Sequence, residues 1–215
     1  MPGEVILLGK GDLAILIGEW FLASDYQLIA VVPTMPAPNW CASLPDWART
    51  HSIPVVESGH YNDLPQMRDP SWRPALAFSV FYDKIIRPNF IDRCHRILNL
   101  HNGPLPRYRG VSPINWALKN AERHHGVTIH EITPGIDDGP IVAQVTFSIY
   151  PEFDEVIDVY RRALHFGWQL FQETIPLLAR IHPQPQDDSR ALYYSSKQNP
   201  QLGDRRSFTR AQAPE

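Results

Sequence analysis

Cysteine and long apolar runs are both scarce in this sequence. Cys41 and Cys94 are the two cysteines among 215 residues, so there is no disulfide framework, and a reducing compartment is favoured. No apolar stretch approaches the roughly 20 residues that a membrane-spanning helix needs. The N-terminus also lacks a basic region followed by an apolar core. These absences predict a cytoplasmic protein with no membrane partner.

An excess of charge of one sign is absent as well. The formal net charge is −3, which provides no general attraction to nucleic acid or to an anionic membrane surface. The hydrophobic content of 43% is ordinary for a soluble globular protein. The length suffices for one sizeable domain with a short appendage. We therefore predict no nucleic-acid partner.

In the first half of the chain, short apolar runs alternate with helical patterns. Buried strands are predicted at residues 5–8, 27–32, 75–80 and 97–100. Asp12 is expected to cap a helix after the first strand. This alternation predicts an α/β fold with a doubly wound, mostly parallel, Rossmann-like sheet and a short C-terminal extension.

The second half predicts two further strands, a capped helix and one long helix. The strands lie near residues 127–132 and 141–147, and Ser112 with Pro113 is expected to start a helix. A helix over 152–181, kinked at Pro176, has six candidate core-facing residues: Phe153, Ile157, Tyr160, Leu164, Trp168 and Phe171. We predict a catalytic domain over 1–182 and a tail over 183–215, partly docked or extended, with a strand at 191–195. The long helix and the tail are candidate surfaces for a homodimer.

Polar residues stand where the predicted strand 97–100 ends. Asn99 and His101 are two residues apart, so on a strand they point to one face. The loop Gly103-Pro104-Leu105-Pro106 cannot continue the strand. An amide donor beside an imidazole ring suits the negative charge that develops on a reacting carbonyl oxygen.

A second segment supplies a carboxylate. A β-branched run over 126–132 leads into a turn, and Asp137 follows His101 by 36 residues. Carboxylate, imidazole and amide together indicate an acyl-transfer site. Asp138 is adjacent, and only one of the two aspartates is expected to face the site. The pattern of the residues alone does not decide which.

A zinc site is one alternative interpretation of this region. Five of the nine histidines lie between residues 95 and 130: His95, His101, His124, His125 and His130. Zinc ligands usually come as tight pairs such as His-x-x-x-His on one helix, whereas His124 and His125 are neighbours before a strand and would diverge. No metal is therefore predicted, and His130 is interpreted as a strand residue near the site.

A weak form of the dinucleotide-binding fingerprint gives a second alternative, at the turn after the first strand. The turn Gly9-Lys10-Gly11 follows the first strand as such a fingerprint does. The second strand, however, ends without the ribose-binding acid. We therefore interpret residues 9–11 as a tight turn from strand to helix.

Taken together, four motifs resemble the formyltransferases that use N10-formyltetrahydrofolate, over roughly residues 5–180. They are Asn99-x-His101, Leu-Pro-x-Tyr-Arg-Gly at 105–110, Gly-Val-Thr-x-His at 126–130 and Asp-x-Gly-Pro-Ile at 137–141. The resemblance implies that Asn99, His101 and Asp137 are catalytic, and it favours Asp137 over Asp138. We expect Asp137 to raise the pKa of His101, whose protonated ring would stabilise negative charge.

The resemblance also implies where the co-substrate N10-formyltetrahydrofolate lies. Two family loops hold the pterin mainly through backbone groups, which suit its amide-like edge. The matching residues are Tyr82, Lys84, Ile86, Gly135, Ile136 and Asp137.

The acceptor is expected to be a small molecule. The resemblance implies that in the glycinamide ribonucleotide members this first turn binds the substrate phosphate. The matching residue here is Asp12, whose charge would repel phosphate, which counts against that substrate. The initiator-tRNA members have a further carboxy-terminal domain and basic surfaces, which are not expected here. The chain is most similar to sugar N-formyltransferases, which implies a dTDP- or GDP-linked amino sugar, with lipopolysaccharide O-antigen biosynthesis as the process.

Tyr108, Arg109 and Trp116 are the predicted substrate contacts. Another small amine, such as glycinamide ribonucleotide or hydroxyornithine, is the alternative acceptor. The alternative to an enzyme is a module that binds folate or a sugar nucleotide without catalysis.

Overall fold

A six-stranded sheet forms the centre of the molecule in the computed structural model, which describes residues 3–203. The strands in chain order are β1 (Glu4–Gly9), β2 (Gln27–Pro33), β3 (Leu76–Val80), β4 (Ile97–His101), β5 (Arg109–Gly110), β6 (His124–Glu131), β7 (Ile141–Ser148) and β8 (Tyr193–Tyr194). The main sheet has the order β2-β1-β3-β4-β6-β7, and β5 pairs with β8 separately. Strands β1 to β4 are parallel, whereas β6 is antiparallel to both β4 and β7. The predicted mostly parallel α/β fold is confirmed.

Among the described residues, five α-helices accompany the sheet: α1 (Gly11–Leu22), α2 (Leu44–Thr50), α3 (Pro88–Ile91), α4 (Pro113–Lys119) and α5 (Val156–Thr174). Both faces of the sheet are covered, because alternate residues of each strand enter different apolar clusters. On β1, Val5 and Leu7 lie in the cluster that includes α1 and α5. Ile6 and Leu8 lie in the other cluster, with Phe90 of α3. No helix within residues 3–203 is long and apolar enough to cross a membrane.

Four of the six predicted core-facing residues of the long helix pack against the apolar core: Phe171 is buried, and Tyr160, Leu164 and Trp168 are half-buried. Phe153 precedes α5, and Ile157 lies in its first turn; they are 46% and 43% exposed. The buried residues are Val159, Ala163, Gly167, Leu170, Phe171 and Thr174. Small residues on this face let α5 approach α1 and β4, since a Cβ on Gly167 would lie 3.1 Å from Leu13 and 3.5 Å from Leu100. The prediction is therefore wrong for Phe153 and Ile157, and apolar residues alone do not indicate the close approach at Gly167.

The end of this helix and two predicted caps also differ in detail. The α-helix ends at Thr174 and continues as a 3-10 turn, because Pro176 lacks the N–H that the helical ladder requires. Asp12 lies in the first turn of α1, while Lys10 occupies the cap position. Ser112 precedes α4 with φ of 56° and makes no capping hydrogen bond through its side chain.

The segment 183–203 lies along the domain. Gln184 forms two backbone hydrogen bonds with Ile141, of 2.7 and 2.8 Å. The predicted strand at 191–195 is found over two residues, as β8. Tyr194 stacks between Trp116 and Tyr108, with ring centroids 4.4 and 5.7 Å away. The division at residue 182 stays a prediction, and residues 204–215 of the predicted tail lie outside the described residues.

One buried histidine makes the stability of the fold depend on pH. His125 of β6 has no exposed surface and packs between Tyr108 and Phe147. Its Nε2–H donates to the carbonyl of Asn102 at 3.0 Å, so Nδ1 is the unprotonated nitrogen. Burial lowers the pKa of His125 to about 4, against a smaller upward effect of that hydrogen bond.

We expect the free energy of unfolding to fall as the pH is lowered from about 6.5 to about 4. In this range the unfolded chain binds a proton at His125 that the folded chain does not, which costs roughly 3 kcal/mol of stability at the acid end. His125→Phe should remove that part of the loss. Urea unfolding at pH 7 and pH 4 measures it, with His124→Gln, an exposed neighbour, as the control. Equal acid losses in the parent and His125→Phe would contradict the assignment.

Candidate active site

The predicted polar pair lies at the carboxyl end of β4, next to a third side chain. Asn99 and His101 project from one face of β4, and the antiparallel register places His130 of β6 directly opposite Asn99. The His130 Nδ1–H donates to the Glu131 carbonyl at 2.8 Å, so its Nε2 is an acceptor. Asn99 donates to that Nε2 through Nδ2 at 3.2 Å. This contact fixes which way the Asn99 amide faces.

The Asp137 carboxylate lies between the two imidazole rings. Its Oδ2 is 3.5 Å from His101 Nδ1, and its Oδ1 is 3.4 Å from His130 Nε2. The Gly110 backbone N–H donates to Oδ2 at 2.8 Å. The carboxylate side chain is 15% exposed. The structure thus brings together the three predicted catalytic residues and adds His130, which the sequence placed only near the site.

The neighbouring aspartate faces elsewhere. Asp138 is exposed and accepts a hydrogen bond from the Thr133 hydroxyl, within its own turn. The structure therefore places Asp137, and not Asp138, against the imidazoles.

Protonation in this cluster follows from burial and hydrogen bonding. Burial lowers the pKa of His101 and outweighs Asp137, which acts to raise it. Asp137 thus raises the pKa of His101 as expected, but the expected protonated ring is wrong, because the effect of desolvation is larger. Burial alone would raise the pKa of Asp137, but the two imidazoles and the Gly110 N–H together hold it below its usual range. At neutral pH the site holds an ionised carboxylate beside a neutral His101.

The tautomer of the neutral His101 ring is set by its other neighbour. Its Nε2–H donates to the Tyr108 carbonyl at 2.8 Å. The unprotonated nitrogen is then Nδ1, which faces Asp137. The ring can accept a proton at that atom.

Two residues that the sequence did not single out hold the loop after His101. Thr128 lies opposite His101 in the register, and its hydroxyl donates to the Gly103 carbonyl at 2.7 Å. Gln144 of β7 donates to the Thr128 hydroxyl and to the Leu105 carbonyl, both at 2.8 Å. The alternation of strand residues could have indicated Thr128, but Gln144 required the register between β6 and β7.

The predicted folate-binding residues lie on both sides of β4. The loop with Tyr82, Lys84 and Ile86 follows β3, and the turn with Gly135 and Ile136 follows β6. Tyr82 and Lys84 both donate through their side chains to the Gly59 carbonyl, at 2.7 and 3.0 Å, and Ile86 is buried. Within residues 3–203, the backbone N–H groups of 82–86 and of 135–136 make no hydrogen bond. Both segments thus contain backbone donors without a partner among the described residues.

The predicted substrate contacts are occupied by other partners. Tyr108 and Trp116 are 1% and 3% exposed, and both stack with Tyr194. Arg109 donates from Nε and Nη2 to the Gln186 amide oxygen, and from Nη2 to Asp188. The structure does not support these three residues as direct contacts of a substrate. Within residues 3–203, no group of three or more His, Cys, Asp or Glu side chains is arranged to hold a metal ion.

Comparison with known proteins gives one family. The family model described as "Formyl transferase" matches residues 68–175, half of the chain. A methionyl-tRNA formyltransferase from Fervidobacterium nodosum is 29% identical over 199 residues, which cover 88% of this chain and 62% of that protein. This chain therefore spans less than two thirds of the length of that curated relative.

Two solved structures resemble the whole sheet. The N-formyltransferase from Helicobacter canadensis, in complex with folinic acid and dTDP-3-aminofucose, has a TM-score of 0.78 and 26% identity. The match covers 92% of this chain and 72% of that one. WlaRD, a sugar 3N-formyl transferase crystallised with dTDP and 5-N-formyl-THF, has the same TM-score and identity, with 92% and 70% covered.

Replacing Asp137 by Asn should lower the pKa of His101 further, because the carboxylate is the group that opposes the effect of burial. An NMR titration of the His101 imidazole measures this shift without any substrate. Asp138→Asn is the matched control and should leave the titration unchanged, since Asp138 bonds within its turn. A His101 titration in Asp137→Asn that is unmoved or moves upward would contradict the geometry.

Proposed function

The chain belongs to the formyl transferase family, and we propose that it transfers a formyl group from N10-formyltetrahydrofolate to the amine of a nucleotide-linked amino sugar. The observation that carries the proposal is the buried Asp137 carboxylate between His101 and His130, with the Asn99 amide beside them. A buried base, a paired carboxylate and an amide donor at the carboxyl edge of a parallel sheet suit acyl transfer.

Asn99 is assigned to the formyl oxygen. When an amine attacks a formyl carbon, negative charge develops on that oxygen, and a fixed N–H donor stabilises it more than the uncharged carbonyl. The contact with His130 Nε2 holds the Asn99 amide in place at 3.2 Å before any substrate binds. A donor that is already oriented spends no free energy on reorientation during the reaction.

His101 is assigned to the proton of the attacking amine. N10-formyltetrahydrofolate supplies the formyl group and leaves as tetrahydrofolate, so one proton moves overall from the accepting amine to the departing nitrogen. His101 is neutral and offers Nδ1 as an acceptor, because Nε2 is bonded to Tyr108. Asp137, at 3.5 Å from Nδ1, stabilises the ring while it carries the proton. This role replaces the protonated resting state expected from the sequence.

The residues present fit a folate. The loop with Tyr82, Lys84 and Ile86 and the turn with Gly135, Ile136 and Asp137 lie on the two sides of β4. Their free backbone N–H groups can donate to the acceptor atoms of a pterin edge. The tyrosine and lysine side chains face Gly59, so they stabilise the loop, and recognition falls to the backbone.

A nucleotide sugar is the acceptor class that the observations favour. The two solved structures named above, at 26% identity, were determined with dTDP-3-aminofucose or dTDP. Asp12 in the first turn of α1 places a negative charge where the phosphate of glycinamide ribonucleotide would need a positive potential. The scarcity of cysteine supports a cytoplasmic location for this activity.

Asn99→Ala should reduce the turnover rate about 10²- to 10³-fold, the usual cost of one oxyanion donor. Asp137→Asn should be at least as damaging, because the His101 proton acceptor loses its counter-charge. Asp138→Asn should have nearly the parent activity. Steady-state kinetics of the three variants with one acceptor measures the ranking. Unchanged turnover in Asn99→Ala, or the reverse ranking of the two aspartates, would refute the assignments.

The substrate class can be tested by mass spectrometry. The enzyme and N10-formyltetrahydrofolate are incubated with dTDP- and GDP-linked amino sugars, glycinamide ribonucleotide and hydroxyornithine, with Asn99→Ala as the matched control. We expect a formyl mass increment on a nucleotide sugar, absent or much slower in the control. An increment only on another amine would establish the alternative acceptor. No increment on any acceptor, with folate binding detected by calorimetry, would indicate a silent binding module.

A further inference from the structure

One side-chain amide outside the catalytic cluster is saturated with hydrogen bonds around the Asp137 turn. The Gln186 Nε2 donates to the carbonyls of Asp137 and Gly139, at 2.8 and 2.7 Å. Its Oε1 accepts from Nε and Nη2 of Arg109, at 3.0 and 2.8 Å. A glutamine amide has two N–H donors and two lone pairs on its oxygen, so all four positions are used.

The backbone places this amide without help from the cluster itself. Gln184 pairs with Ile141 on β7 through two backbone hydrogen bonds. That pairing anchors the segment two residues before Gln186, beside the end of the turn between β6 and β7. The reach from residue 186 to residue 137 spans 49 positions in the chain, so local structure does not produce the contact.

The C-terminal segment also supports the side chain of Asp137, through the pairing of β8 with β5. Gly110 donates its N–H to Asp137 Oδ2, and Gly110 is held by the pairing of β5 with β8. A Cβ at Gly110 would lie 2.1 Å from the Tyr194 carbonyl oxygen, and φ there is +90°, so a glycine is required. Arg109, next to Gly110, is the residue that Gln186 binds. One amide therefore ties the Asp137 backbone to the strand that donates to the Asp137 side chain.

We propose that Gln186 is a positioning residue that fixes the Asp137 carboxylate against His101. Its effect on rate rests on the proposed function, whereas its effect on the carboxylate does not. Asp137 has φ of +51°, a left-handed conformation that an aspartate adopts at some cost. The hydrogen bond from Gln186 to the Asp137 carbonyl helps to hold the turn in that conformation. The chain offers no second side chain within residues 3–203 that bonds to this carbonyl.

Only a glutamine meets all four requirements at this position. Glu keeps the length and the acceptor for Arg109 but presents an oxygen, in place of N–H donors, to two carbonyl oxygens. Leu keeps the volume and loses every hydrogen bond. Gln184→Leu is the matched control, since its side chain bonds only to the His182 carbonyl and its backbone pairing remains.

The test combines kinetics with hydrogen exchange on the full chain. We expect Gln186→Leu to lower kcat about 10²-fold, because small displacements of a catalytic group have effects of that size. The KM for N10-formyltetrahydrofolate should change less than kcat, since the loop with Tyr82, Lys84 and Ile86 keeps its contacts. Gln186→Glu should behave similarly, and Gln184→Leu like the parent.

Exchange of the Gly110 amide, followed by NMR without substrate, reports the carboxylate contact directly. We expect it to be at least about 10-fold faster in Gln186→Leu, while the Leu100 amide in β4 keeps its protection. If the parent enzyme transfers no formyl group, the proposed function fails, but this exchange still tests the positioning role.

The outcomes separate cleanly. Unchanged exchange at Gly110 in both Gln186 variants would overturn the proposal, whatever the kinetics. Faster exchange with kcat within about 3-fold of the parent would overturn its catalytic part. A loss of protection at both Gly110 and Leu100 in Gln186→Leu would indicate general destabilisation, and Gln186→Glu, which retains the contact to Arg109, would then decide.

Discussion

The structure around the site depends on burying one negative charge. A carboxylate that leaves water must recover its hydration through hydrogen bonds and nearby polar groups, or it takes up a proton. Asp137 accepts a hydrogen bond from the Gly110 N–H and lies 3.5 and 3.4 Å from ring nitrogens of His101 and His130, so polar groups from other parts of the chain surround it. The polar neighbours of the carboxylate are therefore complete only when β4, β6 and the β5–β8 pair are all in place. This requirement explains why the C-terminal segment lies beside the catalytic turn.

The buried charge also determines how the imidazoles can act. His101 and His130 each donate one ring N–H to a backbone carbonyl, and each directs its remaining nitrogen toward the site. Both rings are thus oriented by the backbone before substrate arrives. Since burial keeps His101 neutral, the carboxylate does not form a resting ion pair with it. Its stabilising effect is greatest when the ring holds a proton, which is the state that a proton transfer creates.

Sequence patterns predicted the parts of the site that depend on local geometry. The two-residue period of a strand placed Asn99 and His101 on one face, and the motif resemblance selected Asp137. The position of His130 depended on the antiparallel register of β6 against β4, which no local pattern encodes. Phe153 and Ile157 were misassigned to the core because they lie before α5 or in its first turn and are exposed, whereas the close approach to β4 is made at Gly167, which has no side chain to signal it. Arg109 looked available for substrate only because its partner Gln186 is distant in sequence.

The contact between Gln186 and the Asp137 turn has a consequence for the order in which the protein is made. A ribosome releases the chain from its N-terminus at about 5–20 residues per second, and earlier segments fold first. The strands of the main sheet all precede residue 149. Residues 184–194 emerge after them, and Gln186 must still close loops of 49 and 47 residues onto Asp137 and Gly139. A nascent chain can therefore contain the complete sheet while the carboxylate lacks its final geometry, and docking of these residues is the step at which synthesis yields an assembled site.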